Sequence, residues 1–172
     1  PGMAIDLGAL AKGYFADKII ADFKAAQAKA GFIDLGGNVL TYGPAPQREE
    51  GRWRIGIQNP FLPRGNYVAV VKVKDESVVT SGIYERKFVW EGKTYHHIFD
   101  SQTGYPIETD LASLTIVSKK SLDGEIWTTR LFGKKAYEVI AELNKLEAIE
   151  GIVITTDQQM AISDGLKGRI EL

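Results

Sequence analysis

Four short segments of this chain set glycine beside groups that can do chemistry. They are Asp6–Tyr14 (DLGALAKGY), Asp34–Asn38 (DLGGN), Thr80–Arg86 (TSGIYER) and His96–Pro106 (HHIFDSQTGYP). Glycine lets a backbone approach a ligand closely and adopt positive φ. Read as turns, four such segments in one short chain point to a site for a large polar ligand. The last of them carries both histidines of the chain. A fifth feature is the pair Glu125 and Thr129. On a helix, residues i and i+4 share one face. A carboxylate and a hydroxyl there are hard oxygen donors, suited to Mg²⁺ completed by substrate phosphates and water. Asp123 competes for the same role. The plainer reading is a helix start capped by Ser121, with Asp123 and Glu125 facing the helix dipole.

His96 and His97 are neighbours, and neighbours in a strand point to opposite faces. One imidazole can therefore face a site while the other faces solvent or packing. A general base near neutral pH is most often histidine; a structural histidine bonded to its own turn is the alternative. Two adjacent histidines without a third ligand make a poor zinc site. Gly36, Gly37 and Asn38 can expose backbone N–H groups to a phosphate or a flavin edge, or can form a strand bend. Thr80, Ser81 and Gly82 offer a hydroxyl nucleophile or simply a turn. Arg86 can grip a phosphate with two hydrogen bonds or sit on a strand surface. No G-x-G-x-x-G opens a helix, and there is no P-loop or G-x-S-x-G elbow.

The elements that must position these residues follow from periodicity. Phe15, Ile19, Phe23 and Ala26 recur at helical spacing, which predicts a helix from about Ala9 to Ala30, with Asp6 near its start and Gly31 as its stop. Strands are predicted at 32–35, 39–42, 53–58, 67–74 and 112–118. Residues 88–90 and 94–99 read as a hairpin closed by Glu91-Gly92-Lys93, and residues 151–156 and 159–162 as a last hairpin around Asp157-Gln158. Helical segments are predicted at 124–132 and 134–146. Hairpins and helices in separate blocks predict an α+β fold with a largely antiparallel sheet.

Composition bounds the function. The 172 residues predict one domain. There are 21 basic and 22 acidic residues, a net charge of −1. That balance gives no reason to expect nucleic acid or an anionic membrane as partner. With no cysteine, thiolate metal sites and cysteine nucleophiles are excluded. No apolar run is long enough to span a bilayer.

Taken together, the quoted segments, with Glu125–Thr129 (EIWTT), resemble the ApbE family of FAD:protein FMN transferases, formerly called thiamine biosynthesis lipoproteins. The resemblance covers nearly all of the chain. It implies an α+β architecture of the T-fold kind, in which residues 1–172 form the C-terminal portion of the enzyme. It also implies Mg²⁺-dependent cleavage of FAD, passage of FMN to a threonine of an acceptor protein, and release of AMP. The alternatives are an FAD pyrophosphatase giving FMN and AMP, or a flavin-binding module without catalysis. Carried onto this chain, the Ala11 carbonyl, Glu125 and Thr129 would hold the metal. His97 would be the base for the acceptor threonine. Lys12, Gly36, Gly37, Asn38, Thr80, Ser81, Gly82, Arg86, Asp100 and Thr103 would line the FAD site. The family's usual metal residue four before the threonine is aspartate, and here it is Glu125. Family members are typically exported and often lipid-anchored, which implies an extracytoplasmic place at the cell envelope, with membrane contact only through an anchor absent from this chain.

Overall fold

The computed structural model describes residues 2–84 and 87–172. Its centre is a six-stranded antiparallel sheet in the order β1-β2-β5-β8-β9-β10. The strands are β1 (Gly31–Asp34), β2 (Asn38–Tyr42), β5 (Ser77–Gly82), β8 (Leu111–Ser118), β9 (Ile149–Thr155) and β10 (Met160–Ile162). A second sheet, β11-β4-β3, is built from β3 (Trp53–Gln58), β4 (Tyr67–Val73) and β11 (Ile170–Glu171). The hairpin β6 (Lys87–Trp90) and β7 (Lys93–His96) pairs only with itself. Three helices complete the fold: α1 (Gly8–Ala25), α2 (Ser121–Leu131) and α3 (Ala136–Leu143). Among the described residues, no helix is long and apolar enough to cross a membrane.

Alternation along the central strands distributes apolar side chains to both faces of the large sheet. On one face, Val78, Val117, Ile152 and Ile154 pack against Ile57, Ala69, Val71 and Val73 of the small sheet. On the other, Leu114, Ile116 and Val153 meet Leu131 and Phe132 at the end of α2, and Val139 and Leu143 of α3. Ala16 and Ile20 of α1 close over Ile33 and Leu40 on that same helical side. The result is three layers: helices, large sheet, small sheet. β8 lies in the middle, and every one of its residues is buried. Its pairing with β9 shifts register between Leu111 and Ser113. That irregularity changes the parity of the strand, so Leu111 joins Leu114 and Ile116 on the helical face.

The α+β class and most elements match the sequence expectation; three do not. The first helix stops at Ala25, not Ala30. Gln27 takes φ 55°, and the Ala28 N–H reaches back to the Phe23 carbonyl at 3.0 Å, so the helix closes in a left-handed turn without glycine. Its buried stripe is Gly13, Ala16 and Ile20, whereas Phe15 is 57% exposed. Thr80, Ser81 and Gly82 are not a turn; they end strand β5, which has β2 on one side and β8 on the other. The hairpin ends at His96, so His97 to Phe99 are not strand.

Small residues set how closely the helical layer packs. A Cβ at Gly13 would lie 2.7 Å from the Ser121 carbonyl oxygen and 2.8 Å from Leu122 Cα. Both are backbone atoms of the first turn of α2, so neither can swing away. Gly13→Ala is therefore expected to force α1 from α2 and destabilise the fold by about 1–3 kcal/mol, exceeding the gain of up to about 1 kcal/mol in helix propensity. Urea unfolding of the two proteins measures it; an unchanged midpoint would refute the contact.

Candidate functional site

The junction of α1, β2 and α2 holds a buried carboxylate. Glu125 is 4% exposed. The Asn38 side-chain amide donates to its Oε1 at 2.7 Å, and the Lys12 ammonium stands 3.6 Å from the same oxygen. Asn38 is itself fully buried, and its carbonyl oxygen accepts a short hydrogen bond of 2.5 Å from the Ser121 hydroxyl. The amide thus has its donor and its acceptor used at once. A buried carboxylate without such partners would cost several kcal/mol. Oε2 receives no hydrogen bond from the described residues, and it is not among the atoms sealed from solvent. One oxygen is fixed by the protein while the other keeps open lone pairs.

Each partner arrives by local logic. Lys12 is in the second turn of α1, on the side that Gly13 brings against α2. Asn38 opens β2 after the bend Leu35-Gly36-Gly37. There Gly36 has φ 65° and Gly37 has φ 90°. The Asp34 carboxylate accepts from the Gly37 N–H at 2.7 Å, and the Leu35 N–H reaches the Asn38 carbonyl at 2.9 Å. The bend therefore spends the Gly37 N–H on Asp34 and aims Asn38 inward. The start of α2 is capped from another helix. Asp17 accepts from the N–H groups of Ser121 at 2.8 Å and Leu122 at 3.0 Å, one with each oxygen. Ser121 is not the cap, since its hydroxyl is turned to Asn38. Asp17 thus sets a carboxylate at the positive helix end, in addition to Asp123 in the first turn.

Of the expected metal residues, Glu125 is buried and held, whereas Asp123 makes no ion pair with any described residue and lies about 200° round the helix from it. Thr129 is exposed one turn beyond Glu125. Ala11 lies inside α1, where helix geometry directs its carbonyl to the Phe15 N–H, so only its second lone pair is open. Among the described residues no group of three or more His, Asp or Glu side chains is placed to hold a metal. The expected donor set has one acid, a hydroxyl and a carbonyl, all hard oxygens. The open Oε2 fits such a role.

The expected flavin residues are divided. Asn38 is at the junction, with Gly36 and Gly37 exposed beside it and no atom within 4 Å of a Cβ at either glycine. Thr80 and Ser81 are adjacent on β5, so they face opposite sides of the sheet. Val79, which a Cβ on Gly124 would touch at 2.5 Å, marks the α2 side; by alternation Ser81 shares it. Thr80 faces the small sheet, and its hydroxyl is bonded to that of Thr115 at 2.8 Å. The two therefore do not line one pocket from one face. Gly82 is buried, and a Cβ there would meet the Tyr84 ring at 2.3 Å. Arg86 lies outside the described residues.

His97 is exposed, just past the end of β7. Its neighbour Ile98 packs against the helical core, as does Trp127, which is two residues from Glu125 on α2. No described hydrogen bond or ion pair joins His97 to Glu125, Asn38 or Lys12. The turn after it is closed by Asp100, whose carboxylate accepts from the N–H groups of Gln102 at 2.7 Å and Thr103 at 3.3 Å. The Thr103 hydroxyl accepts from Tyr105 N–H at 3.3 Å. His96 is half-buried, and the Ile98 N–H points at its Nδ1 at 3.4 Å. Burial, then the nearby His97, hold its pKa below the ordinary 6.5, against a smaller opposing effect of the Ile107 backbone.

Asn38 and Ser121 as the frame of the carboxylate, and Asp17 as the cap, were not predicted roles. The only signals for them were a polar residue ending a double glycine and an acid one turn beyond Lys12.

Comparison with known proteins gives this junction a context. The model of the ApbE family matches residues 1–153. A Klebsiella pneumoniae protein called FAD:protein FMN transferase is 42% identical over a match covering 95% of this chain and 49% of that protein. A Treponema pallidum protein of the same name is 38% identical, with 99% of this chain and 49% of that protein covered. The crystal structure of the ApbE protein from Thermotoga maritima superposes with a TM-score of 0.84 at 30% identity, covering 96% of this chain and 53% of that one. The chain spans about half the length of the curated relatives it matches. The matched span takes in α1, β2, β5 and α2, the elements around Glu125, and the chain belongs to the ApbE family.

Proposed function

We propose that this chain serves Mg²⁺-dependent transfer of FMN from FAD to a threonine of an acceptor protein. The observation that carries the reading is Glu125, buried, fixed at one oxygen and open at the other. Family membership and the relatives' name, FAD:protein FMN transferase, support the substrate and the acceptor class. In this reading the Glu125 carboxylate, the Thr129 hydroxyl and the second lone pair of the Ala11 carbonyl would hold the ion. The ion supplies neutralisation of the pyrophosphate charge when bound. Lys12 adds a second positive charge beside it. The threonine hydroxyl attacks the phosphorus on the FMN side. The new P–O bond forms as the pyrophosphate bridge breaks, AMP leaves, and the hydroxyl proton passes to His97 as base.

The decisive experiment incubates the full-length protein with FAD, Mg²⁺ and candidate acceptors. A flavin mass adduct on the acceptor, with AMP released, is the expected result. FMN and AMP without an adduct would mean hydrolysis, and FAD binding without AMP a binding module.

Glu125→Gln keeps the shape and removes the charge. It is expected to lower Mg²⁺ affinity and FAD cleavage by at least about 10-fold, while Asp123→Asn leaves both near the unaltered level. Equal losses in the two variants would move the metal role away from Glu125. His97→Ala should lose transfer by about 10²-fold, the scale of a missing general base, and His96→Ala much less. The reverse order would assign the base to His96.

His96 also has a structural signature. Its folded-state pKa lies below the unfolded 6.5, so the folded protein favours the neutral ring. The stability it contributes is complete above pH 6.5 and falls as the pH drops from there towards the folded pKa. An NMR titration should place His96 below 6.5, and a midpoint above that value would refute the burial of its ring.

A further inference from the structure

A second charged site lies at the far end of α1 from Lys12. A cleft of about 520 Å³ is lined by Lys24, Arg52, Lys74, Asp75, Glu76, Lys119 and Arg169. Lys24 is in the last turn of α1, twelve residues from Lys12, which is about 18 Å along the helix. Arg52 precedes β3, Lys74 to Glu76 form the turn between β4 and β5, Lys119 links β8 to α2, and Arg169 precedes β11. Five separate segments therefore deliver five cations to one place, against two carboxylates. Both carboxylates are already engaged. Glu76 holds Arg169 at 2.5 Å and accepts from the Lys74 N–H at 3.2 Å. Asp75 accepts from the Gly43 N–H at 2.7 Å. Arg169 is fixed further by two bonds to the Lys72 carbonyl, at 3.2 and 3.1 Å. Lys24 stands 5.2 Å from the centre of the Tyr42 ring. Among the described residues, no carboxylate pairs with Lys24, Arg52, Lys74 or Lys119.

The cleft carries a formal charge of +3, from five cations less two acids. The whole chain carries −1, which leaves −4 for everything else. The near-zero total thus hides a segregated distribution. Like charges gathered by the fold repel one another unless an anion answers them. A volume of this size is in the range of small-molecule sites. The cations enter from several sides of a concave surface, which suits a compact anion of high charge better than a flat acidic protein face.

We propose that this cleft binds a multiply charged phosphate group, independently of the Glu125 junction. Arg169 offers a fixed guanidinium edge, and the four cations without a carboxylate partner among the described residues supply charge-assisted bonds to the remaining phosphate oxygens. The group can belong to a soluble di- or triphosphate or to an anionic phospholipid headgroup.

The test titrates the isotope-labelled protein with inorganic pyrophosphate, without divalent metal and at fixed ionic strength, and follows backbone amides by NMR. In parallel, the protein is sedimented with phosphatidylglycerol vesicles and with phosphatidylcholine vesicles. Two variants, Lys74→Gln/Lys119→Gln and Lys24→Gln/Arg52→Gln, change only exposed side chains. Saturable shifts at Lys24, Gly43, Asp75 and Lys119, weakened about 10-fold or more in either variant, establish a soluble phosphate as ligand. Selective sedimentation with phosphatidylglycerol, lost in the variants, establishes a headgroup. Shifts confined to the neighbourhood of Glu125, binding that does not saturate, or binding unchanged in both variants would overturn the proposal. So would the absence of binding in both arms.

Discussion

The hydrogen bond from Asn38 to Glu125 is the interaction on which the arrangement of the helical layer depends. A carboxylate this deeply buried is tolerated only where donors and a cation replace water. Asn38 and Lys12 supply them, and Ser121 completes the amide's own requirement. These four groups belong to α1, β2 and α2, so a shift of any of the three elements breaks one of these polar contacts. The apolar packing is arranged to permit this. Gly13 lets α1 lie against the first turn of α2, and Gly124 lets α2 lie on Val79 of β5. Asp17 joins the same two helices a second time, by capping one from the other. Polar and apolar contacts are thus satisfied by one geometry.

The central sheet serves two different neighbours. Its helical face carries the Glu125 junction, and its other face is sealed by the small sheet. A residue's parity along a strand therefore decides whether it can take part in chemistry. Ser81 and Thr80 differ by one position and face different layers. The irregularity at Leu111–Ser113 shows how much a single step matters: it returns Leu111 to the helical core, beside a buried Ser113 hydroxyl that has no hydrogen-bond partner among the described residues.

Local chemistry was readable from the sequence where it acted locally. The hairpin around Glu91-Gly92 and the one around Asp157-Gln158 follow from turn residues between alternating apolar runs. The helical face shared by Glu125 and Thr129 follows from spacing alone. Strand β5 was hidden because threonine, serine and glycine favour turns, and only pairing on both edges overrides that preference. The end of α1 was hidden because Gln27 adopts a conformation usually left to glycine. Asn38 as the holder of Glu125, and Asp17 as the cap of α2, depend on contacts across 87 and 104 residues. No window along the chain contains them. The basic cleft is of the same kind: its lysines and arginines are scattered in sequence and meet only when five segments are in place.

That long reach has a consequence during synthesis. Asn38 leaves the ribosome 87 residues ahead of its partner Glu125. At about 5–20 residues per second the interval is roughly 4–17 s. Through that time β1 and β2 can pair as a hairpin, and α1 can settle on Ile33 and Leu40, while the Asn38 amide remains facing water. Strand β5 arrives after β3 and β4, while its other neighbour, β8, is still unmade. The nascent chain thus presents the open flank of β5 until β8 emerges, and an unsatisfied amide until α2 follows it. Arrival of α2 covers Val79, receives its cap from Asp17 and delivers the carboxylate in one event, so the candidate site comes into being with the closing of the helical layer and has no earlier partial form.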